Sequence, residues 1–429
     1  MSTLALFGGQ PAIAGPLPQF TRIGTDERKL VNQVLDSGAL SGFMGSNTPE
    51  FFGGTFVKRL EEMWAKRFGS RFAVSVNSNT SGQMAALGAV GIGPGDEVIV
   101  PPMTMSATVV SPLIYGGIPV FADVEPGTCC LDVDKVREAI TDRTRAILAV
   151  NLYGQAARLH ELRALADSRG IYLIEDNAQA ILATENGRFT GTIGHIGVFS
   201  LNRHKHVQTG EGGICTTDDP NLALRLQMIR NHGENLVDAF KHADLSNMVG
   251  MNLRLSEMSA AVGVAQLERV DEIVDERQAQ AEFLSRSLKG LDGLQAPTVR
   301  AGCRHVFYVW CPLYDAKAVG VSRDLFARAI NAEGFPMDQG YCAPLYTLPA
   351  FRKRIAIGSG GWPFTLTKRR YEAGMCPVAE RMWETDLLEF GNCSFAPDAG
   401  QLQQMADAIH KVYENRAALR DHEKKTLDA

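Results

Sequence analysis

Between Lys58 and Thr216, short apolar runs rich in β-branched residues alternate with longer stretches of helical period. That alternation is the pattern of βαβ units around a mostly parallel sheet. Seven runs predict seven strands: Phe72–Val76, Glu97–Val100, Val120–Asp123, Ala146–Val150, Tyr172–Ile174, Ile196–Phe199 and Gly213–Thr216. Helices are predicted in the gaps, among them Gly82–Val90, Val133–Ile140 and Leu159–Arg169.

From Ser256, a candidate N-cap, apolar residues recur at helical spacing through Met258, Ala261, Val262, Ala265, Val270, Ile273 and Val274. They predict one long connecting helix, straight or bent, running toward Gly290. A strand at Val306–Cys311, a helix at Arg323–Glu333 and a final helix at Gly400–Asn415 then predict a smaller α/β domain. The expected fold is α/β, a mostly parallel seven-stranded sheet flanked by helices with a smaller C-terminal α/β domain. The division is expected near residue 275, with 1–275 forming the large domain and 276–429 the small one.

Composition narrows the class without naming a function. A chain of 429 residues, 45% hydrophobic and 21% charged, has the make-up of a globular protein of two or three compact units. The net charge of -5 is spread along the chain, and the Lys424–Lys425 pair is too small for a nucleic-acid footprint. Residues 98–122 carry no charge, but Pro101, Pro102, Pro112, Pro119 and Gly116–Gly117 interrupt any membrane-spanning helix. That stretch reads as buried strands and loops. The N-terminus lacks the basic and apolar regions of a signal peptide. Eight cysteines show neither CxxC nor zinc-type spacing, so no metal site is expected and a reducing cytoplasm fits.

Three elements carry candidate chemistry. Lys205 lies in Ser200-Leu201-Asn202-Arg203-His204-Lys205-His206, between two predicted strands, where desolvation can lower its pKa and make it a nucleophilic amine. Glu175 and Asp176 stand at the carboxyl end of a buried strand, where open α/β sheets bind ligands. A carboxylate there can keep a pyridine nitrogen protonated, and Asp176 is the candidate; a helix N-cap or metal ligand is the alternative. Asn77-Ser78-Asn79-Thr80-Ser81-Gly82 sits between a strand and a helix, where backbone N–H groups and the helix dipole can meet a phosphate, although such clusters also cap helices without a ligand. Neither GxxxxGK[ST] nor GxGxxG is present.

With these elements in order, the chain resembles the DegT/DnrJ/EryC1/StrS family of sugar aminotransferases, of the aspartate-aminotransferase-like fold. The likeness extends from Phe7-Gly8-Gly9 through Gly93-Pro94-Gly95-Asp96-Glu97 to Gly250-Met251-Asn252-Leu253-Arg254-Leu255-Ser256-Glu257, and more loosely to Tyr341–Tyr346 and Cys376–Glu380. It implies a pyridoxal 5'-phosphate cofactor, with the pyridoxamine form in the half-reaction, and Lys205 as the Schiff-base lysine. It also implies Asp176 as the partner of the ring nitrogen, Gln179 against the ring's phenolic oxygen, and Thr80, Ser81 and Ser200 on the phosphate. Glu211-Gly212-Gly213 matches the family's signature after the lysine. Asn252 matches a residue donated to the neighbouring subunit's phosphate, which implies a homodimer with composite sites. Met105 stands where the family commonly stacks an aromatic ring on the cofactor, and Asn79 where it commonly has glycine.

The resemblance implies transfer of an amino group from glutamate or glutamine to a keto-sugar, nucleotide-linked keto-sugar or ketocyclitol, in amino-sugar, glycan or antibiotic biosynthesis. The opening Leu4–Gly9 and the Ser41–Gly54 insertion look more like the cyclitol and aminoshikimate-like branch. Sugar dehydratases of the same family carry histidine where the lysine would be, so Lys205 argues against dehydration unless His204 or His206 takes that position. A homologue that binds the cofactor without turnover is the reading outside enzymology. The two histidines are expected to lie at the surface or behind the site, since Lys205 itself can carry the proton.

Overall fold

A computed structural model describes residues 3–20 and 23–427. Its centre is a seven-stranded sheet formed by β1 (Phe72–Val76), β2 (Glu97–Val100), β3 (Ile118–Phe121), β4 (Thr144–Val150), β5 (Tyr172–Asp176), β8 (Ile196–Ser200) and β9 (Gly213–Thr217), with the small hairpin β6 (Thr184–Glu185) and β7 (Arg188–Phe189) outside it. The strand order is β1-β9-β8-β5-β4-β2-β3. Pairs β2–β3, β2–β4, β4–β5 and β5–β8 are parallel, and only β9 runs against its neighbours β8 and β1. All seven expected strands therefore form, with ends moved by up to two residues.

The strands bury because both sheet faces are covered. Val98, Ile99, Ile147, Leu148, Leu173, Ile174 and Val198 have no solvent exposure. Helices α1 (Thr25–Ser37) and α2 (Thr55–Phe68) pack with the Glu257–Glu268 helix on one side, and α3 (Asn79–Ala89) lies against β8 and β9. The insertion before α2 closes on itself by a contact only glycine permits: a Cβ on Gly42 would stand 2.3 Å from Gly54 Cα.

Three expectations change in detail. The predicted helix at Gly82 starts earlier, at Asn79, because Ser78 caps it by accepting the Ser81 N–H at 3.1 Å. Ser256 does cap the connecting helix, accepting from Ser259 N–H at 3.1 Å, but that helix breaks at Arg269 and resumes over Val270–Ser287. The run Val306–Cys311 joins no ladder beyond an isolated bridge from Trp310 to Phe390. Phe307 adopts φ 48°, a left-handed conformation that an extended strand cannot contain.

The C-terminal part builds a second core from Leu284, Trp310, Phe326, Ile330, Phe335, Phe390, Ile409 and Val412. Helices Arg323–Ala332 and Ala399–Glu414 form as the periodicity requires, followed by a further helix, Arg416–Leu427. The N-terminal segment packs with this core through Leu4, Ile13 and Leu17. Buried Glu333 fastens it there, accepting from Ala5 N–H at 2.8 Å and Ala12 N–H at 3.0 Å while paired with Lys411. Residue 275, the expected division, falls inside the Val270–Ser287 helix, whose Val274 and Leu284 belong to different cores. Among the described residues, no helix is long and apolar enough to cross a membrane.

Candidate functional site

Strand β5 ends in Glu175-Asp176, and the pleat sends the two carboxylates to opposite faces. Glu175 turns to the loop after β7 and accepts from the N–H groups of Gly191 at 2.6 Å, Ile193 at 2.8 Å and Gly194 at 2.5 Å. It is consumed in holding the chain. Asp176 faces the other way, toward α3 and Lys205. Its Oδ2 accepts from Gln83 Nε2 at 2.7 Å and Thr108 Oγ1 at 3.0 Å, and its Oδ1 from Ala178 N–H at 3.1 Å and Asn79 Nδ2 at 3.4 Å. Burial raises its pKa above the ordinary carboxylate value, against those hydrogen bonds and the charge of Lys205.

Lys205 lies in the loop between β8 and β9. That loop is fixed by Leu201 N–H to Gly212 O, Arg203 N–H to Gly210 O and Lys205 N–H to Asn202 O. Asn202 adds a bidentate contact to Glu211 at 3.0 Å from each oxygen. Burial lowers the lysine pKa to about 8, while the charge of Asp176 opposes the shift. Its ammonium rests over the ring of Tyr308, 4.1 Å from the centroid. The flanking histidines diverge. His204 is exposed, whereas His206 is buried, donates from Nε2 to Val306 O at 2.9 Å, and is pushed down to about 4 by burial, which leaves it uncharged at neutral pH.

The expected phosphate residues gather at the start of α3. Thr80 and Ser81 occupy its first turn, where backbone N–H groups have no partner within the helix. Asn79 is helical, not left-handed, so the glycine usual at that position is not needed for its conformation. Ser200 pairs in register with Gly213, and Gly213 abuts this helix start: a Cβ there would lie 2.7 Å from Ser78 O and 2.8 Å from Asn79 N. The Gly213 of the post-lysine signature thus lets β9 pass directly beneath the helix start. Gln179, buried after β5, accepts from Tyr153 N–H at 2.7 Å and donates to Tyr341 Oη at 2.8 Å. Tyr153 and Tyr341 both hold left-handed backbone, φ 59° and 49°, a strain that clusters at functional sites.

Two expected site residues stand apart from this network. Met105 is 63% exposed, and Asn252 is exposed beside Leu253, whose carbonyl accepts the Asn77 N–H at 2.8 Å. Sequence reasoning missed Gln83, Thr108, Tyr153, Tyr308 and Tyr341. Only Gln83 carried a local signal, one helical turn beyond Asn79, whose Oδ1 it contacts at 2.7 Å.

A half-buried lysine and a buried carboxylate close enough to feel each other's charge, beside the N-terminus of an eleven-residue helix, fit pyridoxal phosphate. The sheet and this site define an aminotransferase. The model of the DegT/DnrJ/EryC1/StrS aminotransferase family matches residues 22–383, and the chain belongs to that family. It is 34% identical to an L-glutamine:2-deoxy-scyllo-inosose aminotransferase of Streptomyces kanamyceticus, covering 97% of this chain and 98% of the relative. The crystal structure of an aminotransferase from Psychrobacter cryohalolentis superposes with TM-score 0.80 at 29% identity, over 94% of this chain and 99% of that one. DesI, solved in the presence of its TDP-sugar product, gives TM-score 0.80 at 28% identity, over 99% and 98%.

Proposed function

We propose that this aminotransferase uses pyridoxal 5'-phosphate to move an amino group from glutamine or glutamate to a polyhydroxylated cyclic ketone, a keto-sugar or ketocyclitol. The observation that carries the reading is that the Lys205 amine and the Asp176 carboxylate converge beside the first turn of α3, whose Asn79 binds Asp176, at the end of the sheet's central strands. A ketocyclitol is the favoured acceptor, because the inosose aminotransferase of S. kanamyceticus aligns with 97% of this chain.

When bound, the cofactor supplies an aldehyde that takes up the amino group and a ring that absorbs the electron pair left by proton removal. Lys205 anchors it and, once released, moves a proton at Nζ; an amine with a pKa of about 8 is in part uncharged near neutral pH and can accept one. Asp176 holds the ring nitrogen protonated, oriented by Gln83, Thr108 and Ala178 N–H. Thr80, Ser81 and Ser200 would receive the phosphate and Gln179 would face the phenolic oxygen, while Met105, exposed in this chain, stands at a position from which it would have to move to cover the ring. Asn252 completes the phosphate site of a second subunit in a homodimer. Exposed Leu245 and Val249, at 62% and 76%, lie on the segment leading to it and suit an interface.

Dehydration is not favoured, since the buried histidine beside the lysine is committed to Val306 O. Eight cysteines, all free thiols, agree with a cytoplasmic location. The test is to load the protein with the pyridoxamine form and offer ketocyclitols and keto-sugars separately. Return of the aldehyde absorbance with one of them identifies the acceptor, and no return with any overturns the reading. Lys205→Ala should abolish turnover, and full activity in that variant would remove the lysine from the mechanism.

A further inference from the structure

Tyr308 reaches the site from the C-terminal half, more than a hundred residues beyond Lys205. Its ring is 9% exposed, and the lysine Nζ stands 4.1 Å from its centroid. The segment that carries it is fixed from three directions. Val306 N–H donates to Gly154 O at 3.0 Å, His206 Nε2 donates to Val306 O at 2.9 Å, and Cys393 N–H donates to Tyr308 O at 3.2 Å. Asn392 Nδ2 adds a bond to Phe307 O at 3.0 Å. Phe307 accepts left-handed backbone, φ 48°, in the middle of that segment. So much restraint on one tyrosine, converging on the one amine the reaction uses, is more than packing requires.

The other groups facing the lysine are Asp176, which favours its charge, Cys393, whose thiol burial keeps protonated, and the His204 and His206 rings, whose own pKa values the lysine charge helps to lower. His206 is uncharged at neutral pH, and its Nε2–H is spent on Val306 O. Burial pushes the Tyr308 phenol well above its ordinary value, so the ring is neutral and presents the negative face of an aromatic quadrupole.

We propose that Tyr308 is a positioning residue whose ring face seats the Lys205 ammonium, with His206 latching the segment that carries it. The seat matters at the moment Lys205 takes up a proton. Asp176 must then serve the cofactor ring, and the aromatic face supplies the attraction that the carboxylate no longer gives. This rests on the reading of Lys205 as the proton-carrying amine.

The experiment titrates Lys205 directly in the full-length protein freed of cofactor, by the pH dependence of its acylation measured on the Lys205 peptide. In the natural protein the midpoint is expected near 8. Tyr308→Phe keeps the face and should leave the midpoint in place. Tyr308→Leu should lower it by about 0.5 to 1.5 pH units, the range from an exposed to a desolvated cation–π contact. Phenylalanines of increasing fluorination at position 308 keep the shape and drain the quadrupole, so they should lower the midpoint stepwise even if the leucine variant fails to fold. A flat fluorination series, or a phenylalanine variant shifted as far as leucine, overturns the proposal. Protection of Lys205 from acylation by added cofactor tests the underlying reading separately: protection with a flat series removes only the role of Tyr308, and lack of protection removes both.

Discussion

Gln83 Nε2 donates to Asp176 Oδ2 at 2.7 Å, and the glutamine has no solvent exposure. In the proposed reading, the helix whose first turn would meet the phosphate thus also holds the carboxylate that would face the ring, so a single element would set two ends of the cofactor. Gln83→Leu should leave Asp176 Oδ2 with Thr108 alone and cost about 1–3 kcal/mol of orientation and lost bonding. Cofactor affinity should fall by roughly tenfold or more. Asp176→Asn, by contrast, should still bind cofactor but slow the donor half-reaction by ~10²-fold or more in single-turnover absorbance measurements. Equal affinities for the natural protein and the Gln83 variant would show that the helix does not orient the carboxylate.

Gly213 is required by closeness of backbone, not by turn conformation, since its φ is not in the left-handed region. A methyl group in Gly213→Ala would meet Ser78 C and O at 2.7 Å and Asn79 N at 2.8 Å, atoms that cannot swing aside as a side chain can. The helix start must shift, at a cost of about 1–3 kcal/mol. Cofactor binding should weaken more than thermal stability of the cofactor-free chain, as read by titration and melting. A variant with unchanged affinity would place the phosphate elsewhere.

Much of the site could be read from the chain because its pieces are local. A strand that ends in Asp176, a loop that holds Lys205 and a helix that starts near Thr80 each announce themselves by a change from apolar run to polar turn, and the parallel sheet aligns such ends on one edge. What could not be read comes from afar. Tyr308 and Tyr341 arrive from segments whose position depends on tertiary packing, and no periodicity links them to Lys205 or Gln179. The strand expected at Val306–Cys311 failed for the same reason: apolar content signals burial, but left-handed Phe307 is imposed by its surroundings, including His305 Nδ1, which accepts its N–H at 2.9 Å. Asp176 is the candidate from the chain alone, and the pleat adds the physical difference from its neighbour: Glu175 turns to the loop whose N–H groups it binds.

Glu389 gives a pH dependence with a definite sign. It is 6% exposed, and its Oε1 has no hydrogen-bond partner among the described residues. Burial, with the charge of Asp338, raises its pKa from 4.5 to about 8, against the charge of Arg323. Between those values the folded chain holds a proton that the unfolded chain has lost, so its contribution to stability falls as pH rises from 4.5 to about 8 and is level above that. Glu389→Gln keeps the shape without the ionisation. Its stability relative to the natural protein should grow across that window, by an amount on the order of a few kcal/mol, in denaturant unfolding at several pH values. A difference independent of pH would mean that Glu389 titrates normally.

Asn252 lies exposed and outside the network around Lys205, yet its neighbour Leu253 is bonded to Asn77 just before α3. A side chain so placed can serve a site across a two-fold axis, and hybrid dimers decide whether it does. Suppose one chain carries Lys205→Ala and the other Asn252→Ala. If Asn252 acts across the interface, the site built on the intact lysine receives the intact asparagine of its partner, and one fully native site appears in every hybrid. If it acts within its own chain, each site in the hybrid still lacks one of the two residues. Mixed at limiting cofactor, where loss of a phosphate contact tells, the pair should therefore show activity and affinity that the Asn252→Ala homodimer lacks. A hybrid no better than that homodimer would confine Asn252 to its own subunit, and the composite site would be lost with it.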